Sequence, residues 1–528
     1  MSGGREARAR RPIADLVGRL GRTRAAVALV AVAAVALAAG LVCGRSGGSG
    51  PADAAARLVP ASALVYLHLS TDRHRAADRR LARIARVLPV LGRLRDRLAT
   101  AISPRALDVE RDVLPWLGDE LAYAAVSPAD SVVLAAVADR RRAEALVARV
   151  GNLSGAERYR GVRLLVAGQT AIAFVGEFLA VGTEAAVRAA IDREQDGGER
   201  LADLPAYRRI SAGEPDDRSL DAYASAAGVR QVLAPRDGLL GALGALLDRP
   251  RLSAAGAAVT AEDGGLRASV RIAGGAPRGA AFEPVLLERV PEGAAAYVGI
   301  RSALRLVRVL ERLGAARQLQ RLGDALADEA GIDFDRDVLA PLSGELAIAV
   351  TGASEDPAAT GGGAPVVTLK ARTAEPRRTE SALARLQEPL ARRLALAGTV
   401  PRFEAEAIGG LPAFTLRVTP ELGPSYAVND GAVVISTAPA GLEPPRGTLA
   451  AARGFEATIG DVPARADSLV FLDLRQLLAL GEQTGLTAIP GLATARDDLS
   501  RVRAAGAVIA RDPAHPSDTT AELFLEIP

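Results

Sequence analysis

Segments from the first half of this chain recur, in the same order, in the second half. Val59-Pro60-Ala61-Ser62-Ala63-Leu64-Val65-Tyr66-Leu67 returns as Val290-Pro291-Glu292-Gly293-Ala294-Ala295-Ala296-Tyr297-Val298. Leu107-Asp108-Val109-Glu110-Arg111-Asp112-Val113-Leu114 returns as Ile332-Asp333-Phe334-Asp335-Arg336-Asp337-Val338-Leu339. Leu117-Gly118-Asp119-Glu120-Leu121-Ala122 aligns with Leu342-Ser343-Gly344-Glu345-Leu346-Ala347. Weaker matches keep this order to the C-terminus, ending with Ala255-Gly256-Ala257-Ala258-Val259 against Ala505-Gly506-Ala507-Val508-Ile509. The 528 residues are enough for several domains. The repetition predicts two like units, over 58–275 and 290–527, with a connector at 276–289.

Each copy mixes helix and strand signals. Leu64–Leu69 reads as a strand, and Leu81–Leu98 as a helix, with leucines at three- and four-residue spacing. The second copy repeats the strand near Ala295–Ile300 and the helix over Leu304–Leu326. Further strands are separated by short turns. Ala257–Ala261 and Leu266–Ile272 flank Glu262-Asp263-Gly264-Gly265 as a hairpin. Strands joined mainly by short turns favour an α+β fold with antiparallel sheets and packed helices over a doubly wound parallel sheet.

The N-terminus adds a different signal. Ala25–Gly44 is a run of 20 residues without a charge, about 30 Å long as a helix, which matches the hydrocarbon core of a bilayer. Residues 1–24 carry seven arginines against Glu6 and Asp15. The expectation is therefore a cytoplasmic basic tail (1–24), a transmembrane helix (25–44), a linker (45–57) and an exported duplicated region. That makes a single-pass plasma-membrane protein, with the membrane as a partner through residues 25–44. A cleaved signal peptide and a buried helix are the competing readings. The tail carries +5 and the whole chain +3, so the remainder is slightly acidic and nucleic acid is not an expected partner.

The composition excludes several chemistries. The one cysteine, Cys43, cannot form an intrachain disulfide or a multi-cysteine zinc site. Lys370, the only lysine, has no glycine frame, so there is no P-loop. The three histidines, His68, His74 and His515, form no H-E-x-x-H, and no third ligand accompanies His68 and His74. No metal or cofactor is expected. The carboxylates repeated in both copies, Asp108, Asp112 and Glu120 against Asp333, Asp337 and Glu345, read first as helix caps and arginine partners. The weak candidates for contact or acid roles are Asp112, Trp116, Asp119 and Glu120.

These residues also carry a resemblance. The stretch Asp108-Val109-Glu110-Arg111-Asp112-Val113-Leu114-Pro115-Trp116-Leu117-Gly118-Asp119-Glu120, together with Val59-Pro60-Ala61, resembles DUF3352, a family of bacterial proteins of unknown function common in actinobacteria. The second copy departs at Ala340, Pro341, Ser343 and Gly344, so a site in that loop would be kept only in the first copy. The resemblance implies no activity, ligand or catalytic residue. The functional expectation is a membrane-anchored, non-enzymatic binding or scaffold module of the cell envelope, with an envelope protein or lipid as ligand. A carboxylate-dependent envelope hydrolase and a lipid or acyl-chain carrier are the alternatives.

Overall fold

The computed structural model describes residues 51–527, apart from 88–108, 151–154, 234–250, 277–280, 311–315, 353–364, 396–399, 419–422, 484–495 and a few isolated positions. The chain divides into two compact units. The first comprises Met1–Ala276 with Ser517–Thr519, and the second Pro277–Pro516 with Thr520–Pro528.

Among the described residues the first unit is built on ten strands: β1 (Val65–Ser70), β2 (Leu117–Ala125), β3 (Ser131–Val137), β4 (Gly155–Tyr159), β5 (Val162–Ala167), β6 (Thr170–Val175), β7 (Phe178–Thr183), β8 (Leu220–Ser225), β9 (Ala254–Glu262) and β10 (Gly265–Ala273). Every pairing is antiparallel, in the order β4-β5-β6-β7-β3-β2-β1-β8-β9-β10. Successive side chains of a strand point to opposite faces. Here both sets are apolar, so both faces are buried. Tyr66, Ala122, Ala124, Leu134, Ala173 and Ala180 share one core with Val187 and Ile191 of the helix Glu184–Asp196. Their neighbours Leu69, Leu121, Ala135 and Leu179 pack on the other face with Ala143 and Val147 of the helix Arg140–Val150.

The second unit uses β11 (Ala294–Arg301), β12 (Glu345–Thr351), β13 (Val366–Arg372), β14 (Phe403–Ile408), β15 (Leu411–Leu416), β16 (Ser425–Asn429), β17 (Ala432–Ser436), β18 (Ser468–Asp473), β19 (Ala504–Arg511) and β20 (Thr519–Glu526). Its order is β14-β15-β16-β17-β13-β12-β11-β18-β19-β20. This is the order of the first unit with each strand ten places later.

Of the helix expected over Leu304–Leu326, Ala303–Leu310 and Ala316–Ala330 are helical, and residues 311–315 lie outside the described residues. One expectation needs correction, and it concerns the membrane. The expected transmembrane helix, residues 25–44, lies outside the described residues. Among the described residues no helix is long and apolar enough to cross a membrane. The longest, Pro376–Arg393, has 18 residues but carries five arginines and two glutamates, which would be costly in hydrocarbon. No described helix supplies the transmembrane element of the expected fold. The single-pass plasma-membrane location and the membrane partner drawn from residues 25–44 are withdrawn with it.

Close backbone approach constrains the sheet at Gly228, which ends the turn after β8. A Cβ there would stand 1.8 Å from the carbonyl oxygen of Leu64. Backbone cannot move aside as a side chain can, so Gly228→Ala is expected to destabilise the first unit by about 1–3 kcal/mol. A urea unfolding midpoint unchanged from wild type would contradict this.

Candidate functional site

The strand register of the first unit brings several charged groups together inside its sheet. On β1, Tyr66 and His68 point to the same face. His68 lies opposite Asp221 of β8 and Ala122 of β2, and Ser70 lies opposite Glu120. Glu120 is thus one pleat away from His68 on the same face. The turn Ala55–Arg57, just before β1, covers this face and brings Asp53 with it.

His68 is 1% exposed. Its Nδ1 lies 3.0 Å from Asp221 Oδ1. Its Nε2 has no hydrogen-bond partner, and Glu120 Oε2 stands 3.5 Å away. Burial opposes a charged imidazole, but the bond to Asp221, the contact with Glu120 and the charges of Asp221 and Asp53 raise its pKa to about 10. The two flanking carboxylates therefore favour the imidazolium form of His68.

Each acid is itself held in place. Glu120 accepts the backbone N–H of Ala54 at 3.2 Å and of Ala55 at 3.3 Å. Asp53 accepts the hydroxyls of Tyr66 and Tyr207, one on each oxygen. Arg218 Nε donates to Asp221 Oδ1 at 3.1 Å and also pairs with Glu214. Tyr207 stands edge-on to both Tyr66 and Tyr223, with ring centroids 5.9 and 5.5 Å away. Burial and the Asp53 charge push the Tyr66 and Tyr207 hydroxyls well above their ordinary range. They stay protonated and donate to Asp53. Ligand atoms of Asp53, His68 and Glu120 all lie within 4.8 Å of one another, a grouping that can hold a metal ion.

The second unit builds the same place from different residues. Gly299 lies opposite Leu469 in β11 and β18, where the first unit has His68 opposite Asp221. Tyr297 opposite Phe471 replaces Tyr66 opposite Tyr223. Phe455 holds the place of Tyr207 in the matching short helix, and Pro284 precedes the matching turn where Asp53 precedes the first. Leu469, Phe455 and Phe471 are buried. Tyr297 leans over Gly299, where an added Cβ would stand 2.5 Å from its hydroxyl. Of the acids, only the glutamate is retained. Glu345 accepts the N–H of Leu286 at 3.0 Å, as Glu120 accepts those of Ala54 and Ala55.

The carboxylates singled out in the sequence do not assemble as a group. Asp112 is buried in the turn Val109–Val113 and pairs with Arg149 at 2.7 Å. Trp116 is buried and its Nε1 donates to the carbonyl of Asp112 at 2.8 Å, so it anchors that turn. Asp119 is exposed and adjoins Glu120 on β2, so the two point to opposite faces. Glu120 alone joins the buried cluster, and as a cap on backbone N–H groups rather than an arginine partner. Asp333 caps the turn after it through the N–H of Arg336, and Asp108 lies outside the described residues. Lys370 is buried and donates to the carbonyl of Arg289. In the second unit, a cavity of about 640 Å³ lies among Val307, Gly323, Phe334, Asp324, Asp333 and Asp335. Its three carboxylates oppose an acyl chain.

Sequence reasoning missed Asp53, Asp221 and the role of His68, because each partner is remote in the chain. One signal was present. Aligned on Tyr66 and Tyr297, the copies differ at the next inward position, His68 against Gly299. A charged residue in one copy facing glycine in the other marks a place the fold does not need to be polar.

These features define an antiparallel α+β protein with a buried carboxylate–histidine site in one of two like units. The chain belongs to the family described as protein of unknown function (DUF3352), which matches residues 23–526. No curated protein matches it. Part of the chain is similar to solved structures of the protein TP0453. Crystal forms I and IV each show 11% identity and a TM-score of 0.27, over 43% of this chain and 81% of that one. Form III shows 12% identity at the same score, over 42% and 80%. Similarity at this level says nothing about what the chain does.

The retained glutamate gives a pH test. Burial raises the Glu345 pKa from 4.5 to about 7, against the opposing backbone N–H groups of Leu286 and Val285 and the charges of Arg372 and Arg289. The folded chain therefore holds this proton more tightly than the unfolded chain. Its contribution to stability is fully present below about pH 4.5 and is lost as pH rises through about 7. Glu345→Gln is expected to remove that decline. Thermal unfolding of both proteins between pH 4 and pH 8 checks it, and parallel curves would refute the assignment.

Proposed function

We propose that the protein acts through its first unit, as a carboxylate-dependent binding site for a small cationic ligand. The two units are taken as copies of one ancestral fold, over about 58–275 and 290–527, with the site given over to apolar packing in the second copy. The observation that carries this reading is the contrast between the copies. The pair Gly299–Leu469 serves the same sheet position as His68–Asp221, so polarity at that position is not a requirement of the fold. Buried ion pairs are often no more stable than apolar residues of similar volume, and a costly polar arrangement kept in one copy points to use. His68, Glu120 and Asp221 are each at most 5% exposed, which favours a ligand the size of an ion over a bulky substrate. The membrane-anchored scaffold reading is not retained, because its anchor is not supported.

A carboxylate-dependent hydrolase is the second reading, and it rests on Glu214. Burial and the Asp221 charge raise its pKa to about 8. Against the opposing charge of Arg218, that shift favours the protonated acid near neutral pH beside another carboxylate, the division of roles that acid–base catalysis requires.

A double variant tests the binding reading. Asp221→Leu alone strips the buried imidazolium of its main partner and is expected to cost about 3–5 kcal/mol. His68→Gly combined with Asp221→Leu installs the pair of the second unit and should recover most of that loss. Native mass spectrometry should find a small cation retained by the wild-type chain and absent from the double variant. A double variant less stable than Asp221→Leu alone would make the cluster structural and sink the proposal.

A further inference from the structure

We infer that the ligand of this site is a divalent first-row transition metal, held by Asp53, His68 Nε2 and Glu120. This inference rests on the binding reading above and names its ligand.

The first argument is a buried nitrogen that makes no hydrogen bond. His68 is 1% exposed, yet its Nε2 makes no hydrogen bond and is directed at the carboxylate of Glu120. Buried polar atoms are almost always satisfied, and this one lies within 4.8 Å of ligand oxygens on Asp53 and Glu120.

The second argument is the shell behind the ligands. A metal-bound histidine usually donates its other ring N–H to a carboxylate, which fixes its tautomer. His68 Nδ1 faces Asp221 Oδ1 at 3.0 Å and so leaves Nε2 as the ligand atom. Asp53 is oriented by the hydroxyls of Tyr66 and Tyr207, and Glu120 by two backbone N–H groups. All three ligands are thus held by bonds that leave lone pairs for an ion.

Charge is the third argument. With a neutral imidazole, the set Asp53, His68 and Glu120 carries −2, which a dication neutralises. The third carboxylate, Asp221, is already matched by Arg218 at 3.1 Å. An imidazole nitrogen among the donors favours zinc and its neighbours over calcium or magnesium. Three protein ligands leave a coordination position open, as in sites that bind or activate a further small molecule. Binding replaces the Nε2 proton of His68 with the metal, and that proton is released to solvent.

The test uses the full chain, stripped with chelator and titrated with Zn²⁺ by calorimetry, and with Co²⁺ by its visible absorption. One ion per chain is expected at this site, with Co²⁺ bands of low-symmetry N/O coordination. His68→Gln and Glu120→Gln should each abolish the site. Asp221→Asn touches no metal and should weaken binding about 10- to 100-fold. Near-UV circular dichroism establishes that each variant is folded, and Asp221→Asn serves as the decisive variant if His68→Gln is not. Zn²⁺ binding undiminished in a folded His68→Gln chain, or absent from wild type, overturns the inference. If wild type binds neither metal but retains another cation that His68→Gly/Asp221→Leu loses, the metal inference fails and the binding reading survives. Loss of both observations ends both.

Discussion

The structure depends on one constraint, an antiparallel sheet buried on both faces. Strands β1, β2, β3, β5, β6 and β7 of the first unit place apolar side chains alternately into two cores, one under the helix Glu184–Asp196 and one under Arg140–Val150. With aromatics at only 3%, the bulk comes from Leu, Val, Ile and Ala. Small side chains let backbones come close, and glycines such as Gly182 and Gly228 stand where a Cβ would strike a carbonyl oxygen.

In such a sheet an ionised group is an exception that must be compensated. The first unit compensates four acids with one imidazolium, one arginine, two tyrosine hydroxyls and the N–H groups of a short turn. The second unit keeps only the part that serves the fold, the glutamate that ties the lead-in turn to the sheet. The two units therefore separate two roles that Glu120 combines. It caps the turn, as Glu345 does, and it faces His68, for which Glu345 has no counterpart.

Much of the fold was legible in the residues. Strand-like segments, short turns and amphipathic helices pointed to antiparallel α+β, and Glu262-Asp263-Gly264-Gly265 marked a hairpin that the structure forms between β9 and β10. Some of the local chemistry was also legible, because Asp333 lies next to the N–H groups it caps. The leucine spacing over 304–326 likewise pointed to helix, which the structure forms at Ala303–Leu310 and Ala316–Ala330.

The sequence by itself determined the strand periodicity, the order of the repeated segments and the family, because these depend on residues that are neighbours or recur in fixed order. Only the tertiary structure decided the site. Asp53, His68, Glu120 and Asp221 belong to a turn and to strands β1, β2 and β8, and no local spacing relates them. Their meeting depends on register. In a sheet with a two-residue period, a slip of one position would turn His68 away from Asp221 and into the opposite core. That register is fixed by the packing of both faces together, which no single segment encodes.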